Sequence, residues 1–348
     1  MPTLRPVRTS LRRAGAGLLL VIPLLLTACS SSPVTTSSST PAGGASSSSV
    51  AAVPFPVRVR DCGRTVTVTK APTRAVTMNQ EATEVMLTLG LGDHMAGTAY
   101  LDDTILPSLK AAYDTVPVIA KEYPSQEKLL AADPDFVYAA YPSAFESTAA
   151  GTQESLQKLG IASFVSPMDC ANKALRPKVT TIDDVFGEVE DIATIFGVRD
   201  RAQTWIAAQR NELAAATADS PAKGLRILWY DSDDSGSKYV GACCGGPNLI
   251  MAALGGTNVF ADLPGGWADA STEQFAARNP DVIVLADASW STAVSKEKEL
   301  ASDPATRNLA AVREHRYVVL PFSSTSPGVR NVSAISSMAR QLRALHLT

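Results

Sequence analysis

Residues 181–221, TIDDVFGEVEDIATIFGVRDRAQTWIAAQRNELAAATADSP, predict two consecutive helices and decide the fold. The first has Asp183 and Asp184 in its opening turn, where carboxylates favour the positive end of the helix dipole. Its apolar residues recur at helical spacing, and Gly197 ends it as a C-terminal cap. The second helix, residues 200–220, is stopped by a proline and spans about 30 Å, roughly the width of a small domain. We interpret it as a strut.

A related signature stands on each side of this helix pair. Residues 125–137 (SQEKLLAADPDFV) and 271–283 (STEQFAARNPDVI) share Ser, Glu, Ala, Pro and Asp at a constant offset of 146 positions. Each copy predicts a short helix capped by Ser and broken by Pro, then a strand buried on both faces. Strands and helices alternate along the chain, which predicts an α/β protein with mainly parallel sheets. We expect two similar lobes, residues 56–199 and 221–348, joined by the helix at 200–220.

The first 28 residues have the organisation of an export signal. Four arginines, at positions 5, 8, 12 and 13, precede a short apolar run at 18–26, and Leu26-Thr27-Ala28-Cys29 follows. The apolar run is shorter than the roughly 20 residues that cross a bilayer. An ordinary signal peptide that happens to end in Cys is one reading. The Leu-x-Ala-Cys pattern, however, resembles a bacterial lipobox, which implies cleavage before Cys29 and its modification by lipid.

Residues 29–55 are mostly Ser, Thr, Ala, Gly and Pro. Such a segment buries too little apolar surface to order itself, so we expect a flexible tether. Signal peptide, lipid site and tether together predict a monomeric folded body, anchored by lipid on the extracytoplasmic face of the cell membrane.

Composition and motifs exclude several function classes. The chain has 348 residues, 45% hydrophobic and 19% charged, with a net charge of −3 that gives no reason to expect nucleic acid as a partner. There is no Gly-x-Ser-x-Gly elbow, no His-Glu-x-x-His pair and no phosphate loop, so we expect no catalytic residues and no cofactor. The only histidines, His94, His315 and His346, are expected at the surface, and their scarcity argues against a metal site.

Four cysteines follow Cys29: Cys62, Cys170, Cys243 and Cys244. Exported proteins keep disulfides, and four cysteines allow three pairings. The simplest assignment joins Cys62 to Cys170 within the first lobe and leaves the adjacent pair as a strained vicinal disulfide or as thiols. A metal site at the adjacent pair is the alternative, but it lacks a nearby His and the Cys-x-x-Cys spacing.

In open α/β sheets, ligands bind beyond the carboxyl ends of the strands. That rule selects candidate ligand-binding residues in both lobes: Tyr100, Tyr141, Tyr230, Asp231, Trp290 and Phe322. Aromatic side chains suit a flat or conjugated ligand, although they could equally line an interface between the lobes. Arg330 could hold an anion bidentately or form a structural ion pair. The helix start at Gly245-Gly246 could take an anion or be only a tight turn.

These features together resemble the substrate-binding lipoproteins of bacterial ABC importers for iron-siderophores and cobalamin. The similarity covers about residues 57–345: the Arg74-Ala75-Val76 start, the Gly90-Leu91-Gly92-Asp93 turn, both Ser-x-Glu…Pro-Asp copies and the helical link. It implies two Rossmann-like lobes joined by one rigid helix, with a small ligand between them. It also implies that Glu127 and Glu273, one on each lobe, dock on arginines of the permease and so couple the protein to the ATPase.

A narrower resemblance is to an actinobacterial subgroup provisionally assigned to a precursor of the deazaflavin cofactor. It lies in Cys62-Gly63-Arg64 and residues 164–167, 183–186 and 328–331, whereas Cys243-Cys244 departs from the subgroup. The cleft residues suit an aromatic ligand with negative charge, which fits a deazaflavin precursor and a ferric catecholate siderophore alike. We favour the former, because Arg330 and Lys121 are the only cations evident for a bulky ferric complex.

The leading hypothesis is therefore a solute-binding lipoprotein that feeds an ABC importer. The alternative is a membrane-anchored surface enzyme acting on a small anionic or aromatic substrate, and an inert structural lipoprotein comes third. Saturable binding without turnover separates the first of these from the second.

Replacing Cys29 by alanine removes the thiol that lipid modification needs. We expect Cys29→Ala to release the folded body from the membrane fraction or to leave the precursor unprocessed. The matched variant Ser30→Ala should stay membrane-bound. Mass spectrometry of the mature N-terminus checks the prediction, and an unmodified Cys29 at that terminus in the wild-type protein would contradict it.

Overall fold

The computed structural model describes residues 54–234 and 237–347. The predicted signal peptide, Cys29 and nearly all of the predicted tether lie outside the described residues. The described parts of both lobes belong to a single compact unit. Within them, no helix is both long enough and apolar enough to cross a membrane.

The first lobe is a parallel sheet with helices on both faces. Its elements are β1 (Val57–Asp61), β2 (Arg64–Val68), β3 (Ala75–Met78), α1 (Gln80–Thr88), β4 (Met95–Ala99), α2 (Lys110–Tyr113), β5 (Val118–Ala120), α3 (Gln126–Leu130), β6 (Phe136–Ala139), α4 (Gln153–Lys158) and β7 (Ala162–Val165). The strands pair in the order β5-β4-β3-β6-β7, and β1 and β2 form a separate antiparallel hairpin. Side chains alternate along β6, so Phe136 and Tyr138 enter one core while Val137 and Ala139 enter another.

Two helices follow, and then the second lobe. The elements are α5 (Ile182–Ile195), α6 (Arg199–Thr217), β8 (Arg226–Asp234), β9 (Ser237–Gly241), α7 (Gly246–Ala253), β10 (Thr257–Asn258), β11 (Trp267–Ala270), α8 (Thr272–Arg278), β12 (Val282–Asp287), α9 (Ala293–Ser302), α10 (Ala310–Arg313), β13 (Tyr317–Pro321) and α11 (Asn331–Ala344). Its strands pair in the order β11-β9-β8-β12-β13, and β10 also pairs with β8.

The second sheet is mainly parallel, as expected from the sequence, but one of its strands runs in the opposite direction. Strand β9 is antiparallel to both β8 and β11. Only residues 235–236 separate β8 from β9, too few for the crossover connection that parallel neighbours need. The central strands β8, β12 and β13 are parallel, as they are in the first lobe.

The repeated signature has the same structural role in both lobes. In each copy the serine caps its helix by accepting a hydrogen bond from a backbone N–H of the first turn. The aspartate of each copy then ties its own strand to the neighbouring one. Asp135 accepts from the backbone N–H of Arg74 at 2.9 Å, and Asp281 accepts from that of Arg226 at 2.8 Å.

Helix α6 contacts both lobes, as a strut would. Near its start, the Arg201 guanidinium donates to the carbonyl oxygens of Leu89 at 2.9 Å and Gly90 at 3.0 Å in the first lobe. Near its end, Ala216 enters the core of the second lobe, and its carbonyl accepts from Arg343 at 3.0 Å. The 19 residues of α6, Arg199–Thr217, overlap the segment 200–220 that the sequence predicts as the linking helix.

Two disulfides occur among the described residues. One joins Cys62, in the turn between β1 and β2, to Cys170, in the loop after β7, with Cα atoms 5.3 Å apart. The other joins the adjacent residues Cys243 and Cys244, which the sequence left open between a vicinal disulfide and thiols.

Candidate functional site

The loops at the carboxyl ends of β3, β4, β6, β7 and β13 meet in one cleft between the lobes. A cavity of about 10 Å³ remains there, which is room for roughly one water molecule. The first lobe and α5 contribute most of its polar lining, and the loop after β13 closes it from the second lobe. The polar and loop residues that line it are Glu81, Tyr138, Tyr141, Ser166, Asp169, Glu188, Ser326, Pro327 and Gly328.

A buried ion pair crosses the cleft. Arg330, just before α11 of the second lobe, donates from Nε to Oε2 of Glu84 on α1 at 2.7 Å, and a second N–H of the guanidinium binds Oε1. The guanidinium also donates to the Ser323 hydroxyl and, at 2.7 Å, to the Thr104 carbonyl oxygen. The side chains of Arg330 and Glu84 are only 8% and 2% exposed. In this structure Arg330 has the ion-pair role that the sequence left open.

Two further hydrogen bonds join the lobes beside this pair. The Ser323 hydroxyl donates to Oδ2 of Asp103 at 2.7 Å. The hydroxyls of Tyr141 and Ser326 lie 2.9 Å apart. The cleft is thus closed by direct polar contacts, with an ion pair at their centre.

The cavity wall carries two buried carboxyl groups. Oε1 of Glu81 accepts from the Tyr141 hydroxyl at 3.2 Å, while its Oε2 is buried without a hydrogen-bond partner. Glu188 accepts from the hydroxyls of Tyr138 and Ser166. Burial raises the pKa of each glutamate from an ordinary value of 4.5 to about 7, and neighbouring carboxylates add to the rise.

Other acidic groups lie close to these two. Burial raises the pKa of Asp169, although its ion pair with Arg176 at 3.3 Å opposes that rise. Burial also raises the pKa of Asp102, and the carboxylates of Glu122 and Asp103 raise it further. None of the described residues that line the cavity is Lys, Arg or His. The wall of the cleft is therefore acidic.

The aromatic residues predicted at strand ends have different positions. Tyr141 lines the cavity. Tyr100 follows β4, and its ring makes an edge-to-face contact with Tyr123 at 4.5 Å. Trp290 follows β12, is 59% exposed, and packs edge-on against Phe322 at 5.2 Å. Apart from Tyr141, these aromatic residues do not line the cavity.

The structure corrects the location predicted for Tyr230. Its side chain is fully buried in the core of the second lobe, against Phe275, and its hydroxyl donates to Glu299 at 2.7 Å. Strand β8 continues to Asp234, so Tyr230 lies within the strand and not at its end. Asp231 is likewise buried within β8.

The glycines at the start of α7 are explained by close packing. A Cβ atom at Gly246 would overlap the carbonyl oxygen of Thr325, in the loop that closes the cleft. A Cβ atom at Gly245 would lie 2.7 Å from the Cα of Gly266. In this structure the two glycines allow the start of α7 to pack closely against the backbone of Gly266 and Thr325.

Sequence reasoning did not select Glu84 or Glu188 for the site. Glu188 lies between Val185 and Val189 on the apolar face of α5, and a carboxylate on a buried face was the available signal. Glu84 lies one turn after Glu81 on α1. A glutamate at that spacing is equally common on the solvent-facing side of a helix, so the sequence carries no signal that it is buried. Among the described residues, no group of three or more His, Cys, Asp or Glu is arranged to hold a metal ion.

Residues 76–323 match the family model described as periplasmic binding protein. The chain belongs to this family. A periplasmic binding protein of Veillonella parvula, 30% identical, has a similar structure with a TM-score of 0.74, over 83% of this chain and 97% of that one. These matches confirm the family and the α/β fold class predicted from the sequence.

Two relatives extend the comparison. The cobalamin-binding protein of Halobacterium salinarum is 26% identical over 310 residues, covering 85% of this chain and 76% of the relative. The ABC transporter substrate-binding lipoprotein YvrC of Bacillus subtilis is 24% identical over 296 residues, covering 83% and 86%. The chain is a solute-binding protein of the ABC transporter type and not an enzyme, as the sequence predicted.

The buried ion pair predicts a specific loss of stability. Arg330→Met should lower the free energy of unfolding by about 3 kcal/mol, because it leaves Glu84 buried without a counter-charge. Combining it with Glu84→Gln should restore part of that loss. Chemical denaturation of the single and the double variant measures both free energies of unfolding.

The matched control is Arg343→Met, which removes an arginine of α11 whose partner, Asp219, is exposed. Its effect should be clearly smaller than that of Arg330→Met. Equal effects of the two substitutions would contradict a special role for the buried pair.

The raised pKa of Glu81 predicts how stability depends on pH. The folded protein holds this proton more tightly than the unfolded chain, so its contribution is fully present below pH 4.5 and is lost as the pH rises through about 7. Glu81→Gln should make the free energy of unfolding fall less steeply between pH 5 and 8, and should raise it at pH 8 by about 1–2 kcal/mol.

Denaturation at a series of pH values checks this prediction. Glu188 still titrates in the Glu81→Gln variant, so the slope should shrink without vanishing. Glu212→Gln, on the exposed surface of α6, is the control and should leave the profile unchanged. A Glu81→Gln profile that coincides with the wild type would contradict the prediction.

Proposed function

We propose that this chain is a lipid-anchored, extracytoplasmic protein that captures a small ligand in the cleft between its lobes and delivers it to the permease of an ABC importer. One observation carries the proposal: loops from the carboxyl ends of strands in both lobes converge on a single cleft that α6 spans. The Leu26-Thr27-Ala28-Cys29 pattern supports the anchor at Cys29.

The size of the cavity constrains how capture occurs. Ligand sites usually have volumes of roughly 300–1,000 Å³, far above the 10 Å³ that remains between the closed lobes. Entry of a ligand therefore requires the facing loops to separate, which breaks the Arg330–Glu84 pair and the Ser323–Asp103 hydrogen bond. The contacts of α6 with each lobe can persist, so this helix is the natural hinge.

Of the candidate ligands, we propose the cobalamin class first. A relative whose name states cobalamin binding matches 85% of the chain. The exposed Trp290 and its neighbour Phe322 offer apolar faces near the second-lobe strand ends for a flat macrocycle. Ferric siderophores and a deazaflavin precursor are the other classes that the sequence suggests.

A binding titration tests this proposal. The full processed protein, purified from membranes in detergent, is titrated with cyanocobalamin, a ferric siderophore and a deazaflavin precursor while tryptophan fluorescence is followed. We expect saturable binding of cyanocobalamin with micromolar or tighter affinity and no chemical change in the ligand. Failure of all three to bind would overturn the proposed ligand classes.

Two exposed glutamates fit the predicted contact with the permease. Glu127 and Glu273 occupy the first turns of α3 and α8. Helix α3 follows β5 and α8 follows β11, and both of these strands run parallel to the central strands of their sheets. Both helices therefore start at the carboxyl edge of a sheet, the edge that also forms the cleft. We propose that the pair presents negative charge to permease arginines at the tip of each lobe.

Charge reversal separates docking from ligand capture. Glu127→Lys or Glu273→Lys should place like charges together across the interface, at a cost of roughly several kcal/mol, and transport into cells should fall accordingly. Ligand affinity of the purified variants should equal that of the wild type, since neither residue lines the cavity. Glu212→Lys, an equal charge change on exposed α6, should leave both measurements unchanged. Parallel loss of transport and affinity would refute the docking role.

A further inference from the structure

Glu81 presents an unsatisfied hydrogen-bond acceptor to the cleft. The residue lines the cavity, and its Oε1 binds the Tyr141 hydroxyl. The Ser326 hydroxyl and the backbone N–H of Glu81 also act on this carboxyl group and lower its pKa, but Oε2 is buried without a partner at hydrogen-bond distance. A buried carboxylate oxygen without a donor is costly, and proteins rarely keep one without a use. Other unpaired buried polar atoms occur among the described residues, Asp231 Oδ1 for example, but Glu81 is the one residue of that set that lines the cavity, where a donor from outside the chain could be received.

The charges around Glu81 are of the same sign. Glu188 and Asp169 line the same cavity, and Asp102 is close enough to raise the pKa of Glu81. The nearest cations are already occupied: Arg176 pairs with Asp169, and Arg330 pairs with Glu84. Lys121, the other cation expected from the sequence, is exposed and does not line the cavity.

This arrangement opposes an anionic group and favours a donor. When Glu81 is ionised, above a pH of about 7, a carboxylate, phosphate or catecholate oxygen placed here would meet like charge in a medium of low dielectric constant, where repulsion is strong. An ammonium or a primary amide N–H would instead complete the hydrogen bonding of Oε2, most strongly when the glutamate is ionised.

We propose that Glu81, supported by Glu188, receives an N–H donor of the ligand, an amine or a primary amide, and thereby discriminates against ligands that present an anion at this position. The inference rests on the proposed function, because it assigns ligand chemistry to the same cleft. It reverses the negative charge that the sequence alone suggested for the ligand. Glu81 occupies one position in the cleft, and the proposed aromatic contacts of the ligand lie elsewhere.

Matched ligand pairs test the proposal on the full processed protein in detergent. Cyanocobalamin is compared with its monocarboxylic acids, in each of which one primary amide is replaced by a carboxylate. Ferrioxamine B, which has a free ammonium, is compared with its N-succinyl derivative, which has a carboxylate there. Equilibrium titration should show that the N–H member of whichever pair binds is preferred by about tenfold or more, for at least one amide position.

Variants assign the preference to the residue. Glu81→Gln should reduce the preference for the N–H member about tenfold while binding persists, and Glu212→Gln should leave it unchanged. Retained circular dichroism and cooperative unfolding establish that the Glu81→Gln protein is folded.

The outcomes separate this inference from the proposed function. If no member of either pair binds, the cobalamin and siderophore classes fail, and the inference fails with them, whereas a deazaflavin precursor that still binds leaves the proposed capture of a ligand standing. If ligands bind but the anionic members bind as tightly as the N–H members, the inference alone is overturned. A preference that survives unchanged in Glu81→Gln would likewise overturn the assignment to Glu81.

Discussion

The ion pair between Arg330 and Glu84 is the interaction on which the closed arrangement of this protein depends. Both side chains are nearly excluded from water, and an unpaired charge in such a position costs several kcal/mol. The pair is also saturated by the Thr104 carbonyl and the Ser323 hydroxyl, so little hydrogen-bonding capacity is left over. Because one partner lies on each lobe, closure satisfies both charges at the same time.

The Arg330–Glu84 pair also determines how much free energy it costs to open the cleft. Separating the lobes exposes both charges to water, which hydrates them. Opening therefore replaces a buried, hydrogen-bonded ion pair by two hydrated ions and does not create buried unpaired ions. The net cost of opening is therefore smaller than the strength of the contacts suggests. In the opening that we propose, a ligand that fills the cleft has to exceed only that difference, and the contacts of α6 with both lobes need not break.

The acidic wall gives the cleft a chemical character that family membership does not specify. One relative is named for cobalamin binding, and solved structures with a similar fold are named for Fe3+-hydroxamate transport and for heme binding. The fold therefore supplies the cleft, whereas the selectivity that we propose depends on side chains such as Glu81 and Glu188. Because burial raises the pKa of both glutamates to about 7, the charge of the cleft changes near neutral pH.

The sequence by itself determined the local elements and their repetition. Capping residues, prolines and apolar runs are short-range signals, so β3, α5, α6 and both Ser-x-Glu…Pro-Asp units could be located from neighbouring residues alone. Only the tertiary structure decided the site. Arg330 and Glu84 are 246 positions apart, and Tyr138 and Glu188 are 50 apart, so no local pattern joins them. Tyr230 was misplaced for a related reason: the length of β8 is set by its pairing with β9, and pairing between strands decides which residue ends a strand.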